Sequence, residues 1–446
     1  MRARGAVAPA AGRVRVEPPP TRPVVLGYLV PEFPGQTHTF FRREIEALER
    51  AGARPVLVST RRPRRPAAHP WAPAAAARTT YLADPSPAGV LAAAGVLARA
   101  LRGGQWRALA REARAAAAPA GTHPAPRGPV AAVRRAGRTA VLVAAGARLA
   151  ALARAGGWAH VHVHSCGHAA QVAAFARLLG GPPTSLTLHG PLGDYGGNQR
   201  GKWRGAAFGL VITEGLRRDV AAALGPDLPP VVAVAPMGVD PERFARSRPY
   251  ESWKGSGPLR LVATGRLNPA KGHDDLLRAV RLLVDDGTDA RLVVLGEDEQ
   301  GGVGHRRDLE ALVAALGLAD RVRLPGAVGE DRVRAALEDA HVFALASHAE
   351  PLGVAVMEAL ALELPAVVCA GGGVGELVRD GDTGLLVPPR DPAALAAAVA
   401  RVAGDPDLAR GLGRRGRAHV AASYASARGA RTLLDLVGAT TTGGRS

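Results

Sequence analysis

The chain is poor in cysteine, lysine and aromatic side chains, and each shortage excludes something. Two cysteines in 446 residues, Cys166 and Cys369, stand too far apart in sequence for a metal-binding spacing or a disulfide framework. A reducing, cytoplasmic setting is the simplest expectation. No stretch reaches about 20 apolar residues without charge, so no membrane span is expected. Residues 1–20 hold no uninterrupted apolar core of the signal-peptide kind and read as a disordered leader. The first strand-to-helix loop lacks G-x-G-x-x-G, which removes the dinucleotide fingerprint. Lysine occurs only at Lys202, Lys254 and Lys271, so arginine supplies most of a net charge of +18. A surface that basic attracts an anionic membrane leaflet or nucleic acid, or simply keeps the chain soluble. The reading keeps peripheral membrane contact and solubility, and expects no nucleic acid.

What is present is a chain long enough for two or three domains, 47% hydrophobic. It is organised around S-H-A-E-P-L-G-V-A-V-M-E-A-L-A from Ser347, followed by L-P-A-V-V-C-A-G-G-G-V-G-E and D-G-D-T-G-L-L-V-P-P. Glu350 and Glu358 are eight residues apart, a little over two helical turns, so both can line one cleft. Gly353 lets backbone approach a ligand closely. A helix starting near Val354 would aim free N–H groups at an anion, phosphate being the usual guest. These parts, in this order, resemble the retaining nucleotide-sugar glycosyltransferases of family 4, which have two Rossmann-like domains in the GT-B fold. Two positions depart from the family pattern. Pro351 stands where glycine usually follows the first glutamate, removing an amide donor. Glu363 stands where glycine usually ends the helix.

The rest of the chain reads as two α/β units joined near residue 246. An N-terminal Rossmann-like domain is expected over 21–245, with an Ala/Arg-rich helical insertion at 61–157. A donor domain is expected over 246–415, and a helix over 416–440 that crosses back. The apolar run Val24–Val30, a helix over 41–50 and the strand Arg54–Ser59 form the opening βαβ unit. Its loop P-E-F-P-G-Q-T-H-T-F resembles that of a subgroup including colanic acid and related exopolysaccharide glycosyltransferases. The resemblance makes Gly35, Gln36 and Thr37 cleft residues. Leu91–Leu101 and Val130–Leu152 read as basic amphipathic helices, to pack on the domain or lie on a membrane.

His160, His162 and His164 alternate along a strand and share a face. They could bind zinc, but no carboxylate or further cysteine constellation completes a site beyond Cys166 and His168. His189 ends the strand Thr184–Leu188, where open parallel sheets bind ligands. It resembles the family histidine that contacts the donor sugar; Asp194 is a further candidate.

In the second unit, G-R-L-N-P-A-K-G places Arg266 and Lys271 in a strand-to-helix loop, suited to a diphosphate as a fork and a point charge. The segment around Leu324 resembles the one that cradles the nucleotide base through backbone groups. The resemblance therefore implies transfer of a sugar from a nucleoside diphosphate-sugar to a glycan or lipid-linked acceptor hydroxyl, with retention and without a metal or other cofactor. In it, Arg266, Lys271 and the backbone at Leu352, Gly353 and Val354 hold the diphosphate. Glu350 and His189 act at the transfer centre, and Glu358 holds the ribose. Two carboxylates also invite a glycosidase, a nucleotide-sugar epimerase shares the fold, and Pro351 with Glu363 admits a degenerate binding protein.

Overall fold

The computed structural model describes residues 23–118, 128–298 and 304–442; the leader expected at 1–20 lies outside them. Short apolar runs closed by loop residues become strands buried on both faces, as parallel sheets require. In chain order these are β1 (Val25–Glu32), β2 (Arg54–Arg61), β3 (Thr80–Tyr81), β4 (His160–His164), β5 (Thr184–Leu188), β6 (Gly209–Val211) and β7 (Val232–Val234). The second group is β8 (Leu259–Thr264), β9 (Ala290–Leu295), β10 (Val322–Gly326), β11 (Val342–Leu345), β12 (Ala366–Cys369) and β13 (Leu385–Val387).

Each group forms one parallel sheet, ordered β3-β2-β1-β4-β5-β6-β7 and β10-β9-β8-β11-β12-β13. This is the α/β, two-domain GT-B arrangement that the resemblance implies. In both sheets the strand order reverses once, between β1 and β4 and between β8 and β11. Loops leaving the C-terminal ends of strands on either side of such a reversal diverge and leave a crevice.

The domains are tied by more than a linker. The chain expected to run as one helix over 416–440 is two helices, Pro406–Ser423 and Ser426–Thr442. The break occurs because the hinge uses that backbone: Val239 donates its amide to Tyr424 O (2.9 Å), and Ser426 donates to Val239 O (2.8 Å). The last helix then buries Ala430, Leu433 and Val437 with Leu26, Phe41, Ile45 and Leu48 of the first domain.

Glu363 is left-handed, with φ +55°, a conformation that costs a side-chain-bearing residue about 1 kcal/mol. The neighbouring helix holds the turn in place. Arg417 donates to Ala361 O, and its Nε lies 3.7 Å from Glu363 Oε1.

The described part of the 61–157 insertion is folded onto the first domain. Its long helices are Pro87–Arg102, Trp106–Ala117 and Pro129–Ala155. Val96, Ala100, Ala147, Leu149, Ala150 and Ala153 face the core. Arg148 donates to the carbonyls of Tyr81 (2.6 Å), Leu82 (2.7 Å) and Asp84 (3.0 Å). Pro129–Ala155 is long and apolar enough to cross a membrane by length and composition, but part of it is core of this domain.

Candidate active site in the interdomain cleft

The second sheet's reversal builds one side of the cleft. β8 runs into Gly265 and Arg266, and a single 3-10 turn, Pro269–Lys271, brings Lys271 back beside the end of β11. There Lys271 Nζ donates to Glu350 Oε2, which also accepts from Ser347 Oγ at 3.1 Å. Glu350 is buried, so its charge is matched by a cation and a hydroxyl, as a buried carboxylate requires. Its main chain is fixed from the other side. Glu350 donates its amide to Gly371 O (2.9 Å) and accepts from the Gly373 amide (2.8 Å). A Cβ on Gly371 or Gly373 would lie 2.2 and 2.1 Å from the carbonyls of His348 and Pro351. The glycine run is therefore a packing requirement of Glu350.

Gly353 takes φ +100° and starts the helix Val354–Ala361 directly after this pair. Lys271, Glu350, Gly353 and Val354 are thus neighbours, with Arg266 on the same loop as Lys271. Leu352 is core, 3% exposed, so only its backbone can serve a ligand. Arg266 is exposed, and its charge is near enough to act on His38 and Tyr195 of the first domain. Burial, then Arg266 and His69, bring His38 down to about 4.

Glu358 has a partner that sequence reasoning missed. Arg43 Nη2 donates to Glu358 Oε1 at 2.5 Å across the cleft, and lies 3.5 Å from Glu330 Oε2. Arg243 Nε is 2.6 Å from Glu330 Oε1. Arg43 is 1% exposed and Arg243 half-buried, so two cations and two anions form an interdomain clamp with Arg43, Glu330 and Glu358 at its buried centre. Burial raises the Glu358 carboxyl, and Arg43 only partly offsets this. Leu324 also keeps little freedom, because its carbonyl accepts from Arg306 Nη2.

The first domain supplies the opposite wall. His189 follows β5, half-buried, and Gly190 sits close enough to the second domain that a Cβ there would lie 3.8 Å from Pro351 Cγ. Gly35 is buried beneath the His38 ring. Its neighbour Gln36 donates to Val328 O of the second domain at 2.8 Å. Glu376 accepts the amides of Glu214 and Gly215, each at 2.7 Å, capping a first-domain helix from the second domain.

The strand histidines are engaged by protein. His160 and His162 both face Ser185 Oγ at 2.7 Å, and His162 faces Thr187 Oγ1 at 2.8 Å. Among the described residues, the grouping with metal-like spacing is Asp274, Asp275 and His348. His348 Nε2 is already 2.8 Å from Asp275 Oδ2, and Arg278 is 3.3 Å from Asp274 Oδ2.

Comparison with known proteins points the same way. Residues 251–419, the second domain, match the family model of glycosyl transferases group 1. Over 232 residues the chain is 33% identical to D-inositol 3-phosphate glycosyltransferase of Streptomyces coelicolor, covering 47% of this chain and 50% of the relative. Over 204 residues it is 36% identical to the putative colanic acid biosynthesis glycosyltransferase WcaL of Salmonella typhimurium, covering 44% and 48%. The chain spans about half the length of these curated relatives. Sucrose-phosphate synthase of Thermosynechococcus elongatus superposes with a TM-score of 0.67 at 19% identity, covering 94% of this chain and 99% of that one. The Anabaena protein HepE in complex with UDP and glucose gives 0.67 at 13% identity, covering 93% and 99%. At such identities the likeness is one of fold, and the fold is GT-B.

Proposed function

We propose that this chain, GT-B throughout and matching the group 1 glycosyl transferases in its second domain, is a retaining glycosyltransferase. It moves a sugar from a nucleoside diphosphate-sugar to an acceptor hydroxyl without a metal. The observation that carries the reading is the Lys271–Glu350 pair at the second sheet's reversal, beside the helix start at Gly353 and with Gly190 of the first domain near Pro351. Departure of the diphosphate leaves charge on its oxygens. Lys271, Arg266 and the amides at the start of Val354–Ala361 stabilise that charge in a site shielded from water. Lys271 can serve both partners, held by Glu350 when the cleft is empty and shared with the diphosphate when the donor enters. Glu350 is then left to accept from donor-sugar hydroxyls, and Glu358, whose Oε1 is taken by Arg43, offers Oε2 to the ribose.

A nucleotide donor also accounts for the cationic loop better than a glycosidase does, since a glycosidase substrate carries no diphosphate. Incubation with a panel of labelled nucleoside diphosphate-sugars and a lipid-linked hydroxyl acceptor tests the reading. The expected result is release of nucleoside diphosphate with an α-linked product from an α-linked donor, unchanged by a chelator. Interconversion of the sugars, or binding without release, would overturn it.

The acceptor is proposed to be lipid-linked, at an anionic leaflet. Among the described residues, most exposed large apolar side chains lie on the insertion helices: Val90, Leu91, Leu101, Trp106, Val130, Val133 and Val141. Leu91 and Val133 are 74% and 72% exposed. Residues 87–155 carry eleven arginines against one acid, Glu112. Each arginine near an anionic surface contributes about 1 kcal/mol, and each apolar side chain adds burial. The full chain is expected to float with vesicles containing phosphatidylglycerol and to be released by salt. The variant L91E/V133E should lose about tenfold in partitioning. Equal binding to neutral vesicles, or no change in the variant, would count against a membrane acceptor.

A further inference from the structure

The loop that follows β5 is fastened to the insertion, a link that the proposed reaction does not by itself explain. After His189 the chain passes through the 3-10 turn Leu192–Tyr195 into the short helix Gln199–Arg204. Residues 190–197 include four glycines and reach the second domain. A Cβ on Gly190 would lie 3.6 Å from the Tyr195 hydroxyl and 3.8 Å from Pro351 Cγ, and the Arg266 charge is near enough to act on Tyr195. A segment so rich in glycine has little conformational preference of its own, so its shape depends on what grips it.

The grip is made of side chains from the far end of the loop. Gln199 Nε2 donates to Gly196 O (2.8 Å) and Tyr195 O (3.0 Å). The buried Lys202 donates from Nζ to Cys166 O (2.9 Å), just past β4, and to Tyr195 O (3.2 Å). Beside them Asn198 takes the left-handed conformation, φ +55°, which asparagine tolerates better than most residues. Its Nδ2 donates to Gln171 Oε1 (2.8 Å) and to Glu112 Oε1 (2.6 Å). Gln171, buried on the helix His168–Leu178, donates to the same Glu112 oxygen at 2.8 Å.

Glu112 belongs to the insertion helix Trp106–Ala117 and is the single acid among residues 87–155. The helix Gln199–Arg204 comes close against it: a Cβ on Gly201 would lie 2.6 Å from Asn198 Oδ1 and 2.8 Å from Glu112 Oε1. Hydrogen bonds to an ionised acceptor are about twice as strong as neutral ones. The carboxylate is therefore the strongest point in a tether that runs from the insertion, through Asn198, to the cleft loop.

We propose that Glu112 is a positioning residue for the acceptor: through Asn198 and Gln171 it sets residues 190–197 at the cleft, and with them the place where the acceptor hydroxyl meets the donor. That the loop serves the acceptor rests on the transferase reading; the tether does not. The groups assigned to the diphosphate all lie on the second domain, so a displaced loop leaves them intact and disturbs the partner that enters along the first domain. Small misplacements of a positioning element lower the rate steeply.

The test compares full-length Glu112→Ala, Glu112→Gln and Asn198→Gly, with thermal unfolding verifying that each folds. Asn198→Gly keeps the left-handed backbone and removes the amide, so it carries the same test should Glu112→Ala not fold. Hydrogen exchange of the amides of 192–199 is expected to quicken about tenfold in Glu112→Ala and Asn198→Gly, the loss of about one hydrogen bond. Glu112→Gln, which keeps an accepting oxygen, should stay near wild type. With the donor that wild type selects from the nucleotide-sugar panel and the same lipid-linked acceptor, KM for the acceptor should rise about tenfold in the first two variants and recover in Glu112→Gln. Affinity for the free nucleoside diphosphate should not change. The double variant Glu112→Ala/Asn198→Gly should be no worse than either single one, because both cut one link. Unchanged exchange in Glu112→Ala, an acceptor KM that does not move when the loop loosens, a loss of diphosphate affinity, or losses that add in the double variant would overturn the proposal. Failure of wild type to transfer any sugar would instead overturn the transferase reading, because the exchange rates do not depend on it.

Discussion

Replacing Arg266 and Lys271 together by alanine is expected to weaken binding of a nucleoside diphosphate at least ~100-fold. Charge-assisted hydrogen bonds to phosphate contribute about 1.5–3 kcal/mol each, and about 1.4 kcal/mol is a factor of ten in affinity. The two losses are not equal. Lys271 sits against buried Glu350, so Lys271→Ala removes an attraction and also leaves an uncompensated carboxylate beside the incoming phosphate. Arg266 is exposed, and its share is screened by salt on the scale of a Debye length. Titration calorimetry with nucleoside diphosphates at two salt concentrations separates them. Arg266→Ala should matter less at high salt, and Lys271→Ala nearly as much as at low salt. Glu350→Gln removes the anion that competes for Lys271. It should bind the free diphosphate as well or better and yet lose turnover. A folded double variant with unchanged affinity would remove the diphosphate site and the proposed activity with it.

What could be read from sequence was whatever is encoded locally. Alternation placed the three histidines on one face of β4, and Gly265–Gly272 declared itself a strand-to-helix loop by its glycines and proline. That Lys271 and Glu350 belong to one site came from the family resemblance; their direct pairing was not legible, because it depends on adjacent strand ends at the sheet reversal. The clamp was not legible, since Arg43 and Glu358 are 315 residues apart. A charged pair on an amphipathic helix normally marks its solvated side. The helix Thr39–Arg50 did carry a clue, however. Arg43 and Glu44 precede Ala47 and Leu48 by four residues, so they share the buried face with them. The same reasoning covers Glu376 and Gln36, whose partners are backbone groups of the other domain. Backbone partners leave no trace in residue identity. The break at Tyr424 was missed for that reason too.

Arg43→Met is expected to destabilise the protein by about 3–5 kcal/mol at pH 8, the usual result of removing one partner from a buried ion pair. The variant keeps most of the side-chain volume over Phe244, where the Arg43 guanidinium now sits 4.7 Å from the ring, so the loss is one of charge. The sign of the pH dependence follows from Glu358. Burial holds its carboxyl above the ordinary value even with Arg43 present. An acid raised in the folded state contributes full stability below its unfolded pKa, and that contribution is lost as pH rises through the folded value. Without Arg43 the folded value climbs further, so the loss deepens and extends to higher pH. Urea unfolding should therefore show a small defect near pH 5, where Glu358 can hold a proton, and the full defect at pH 8. Pairing the substitution with Glu358→Gln should recover much of the difference, because the orphaned charge is then gone. Equal defects at both pH values, or a double variant as unstable as the two single variants combined, would show that Arg43 acts through packing and that the clamp does not hold the domains together by charge.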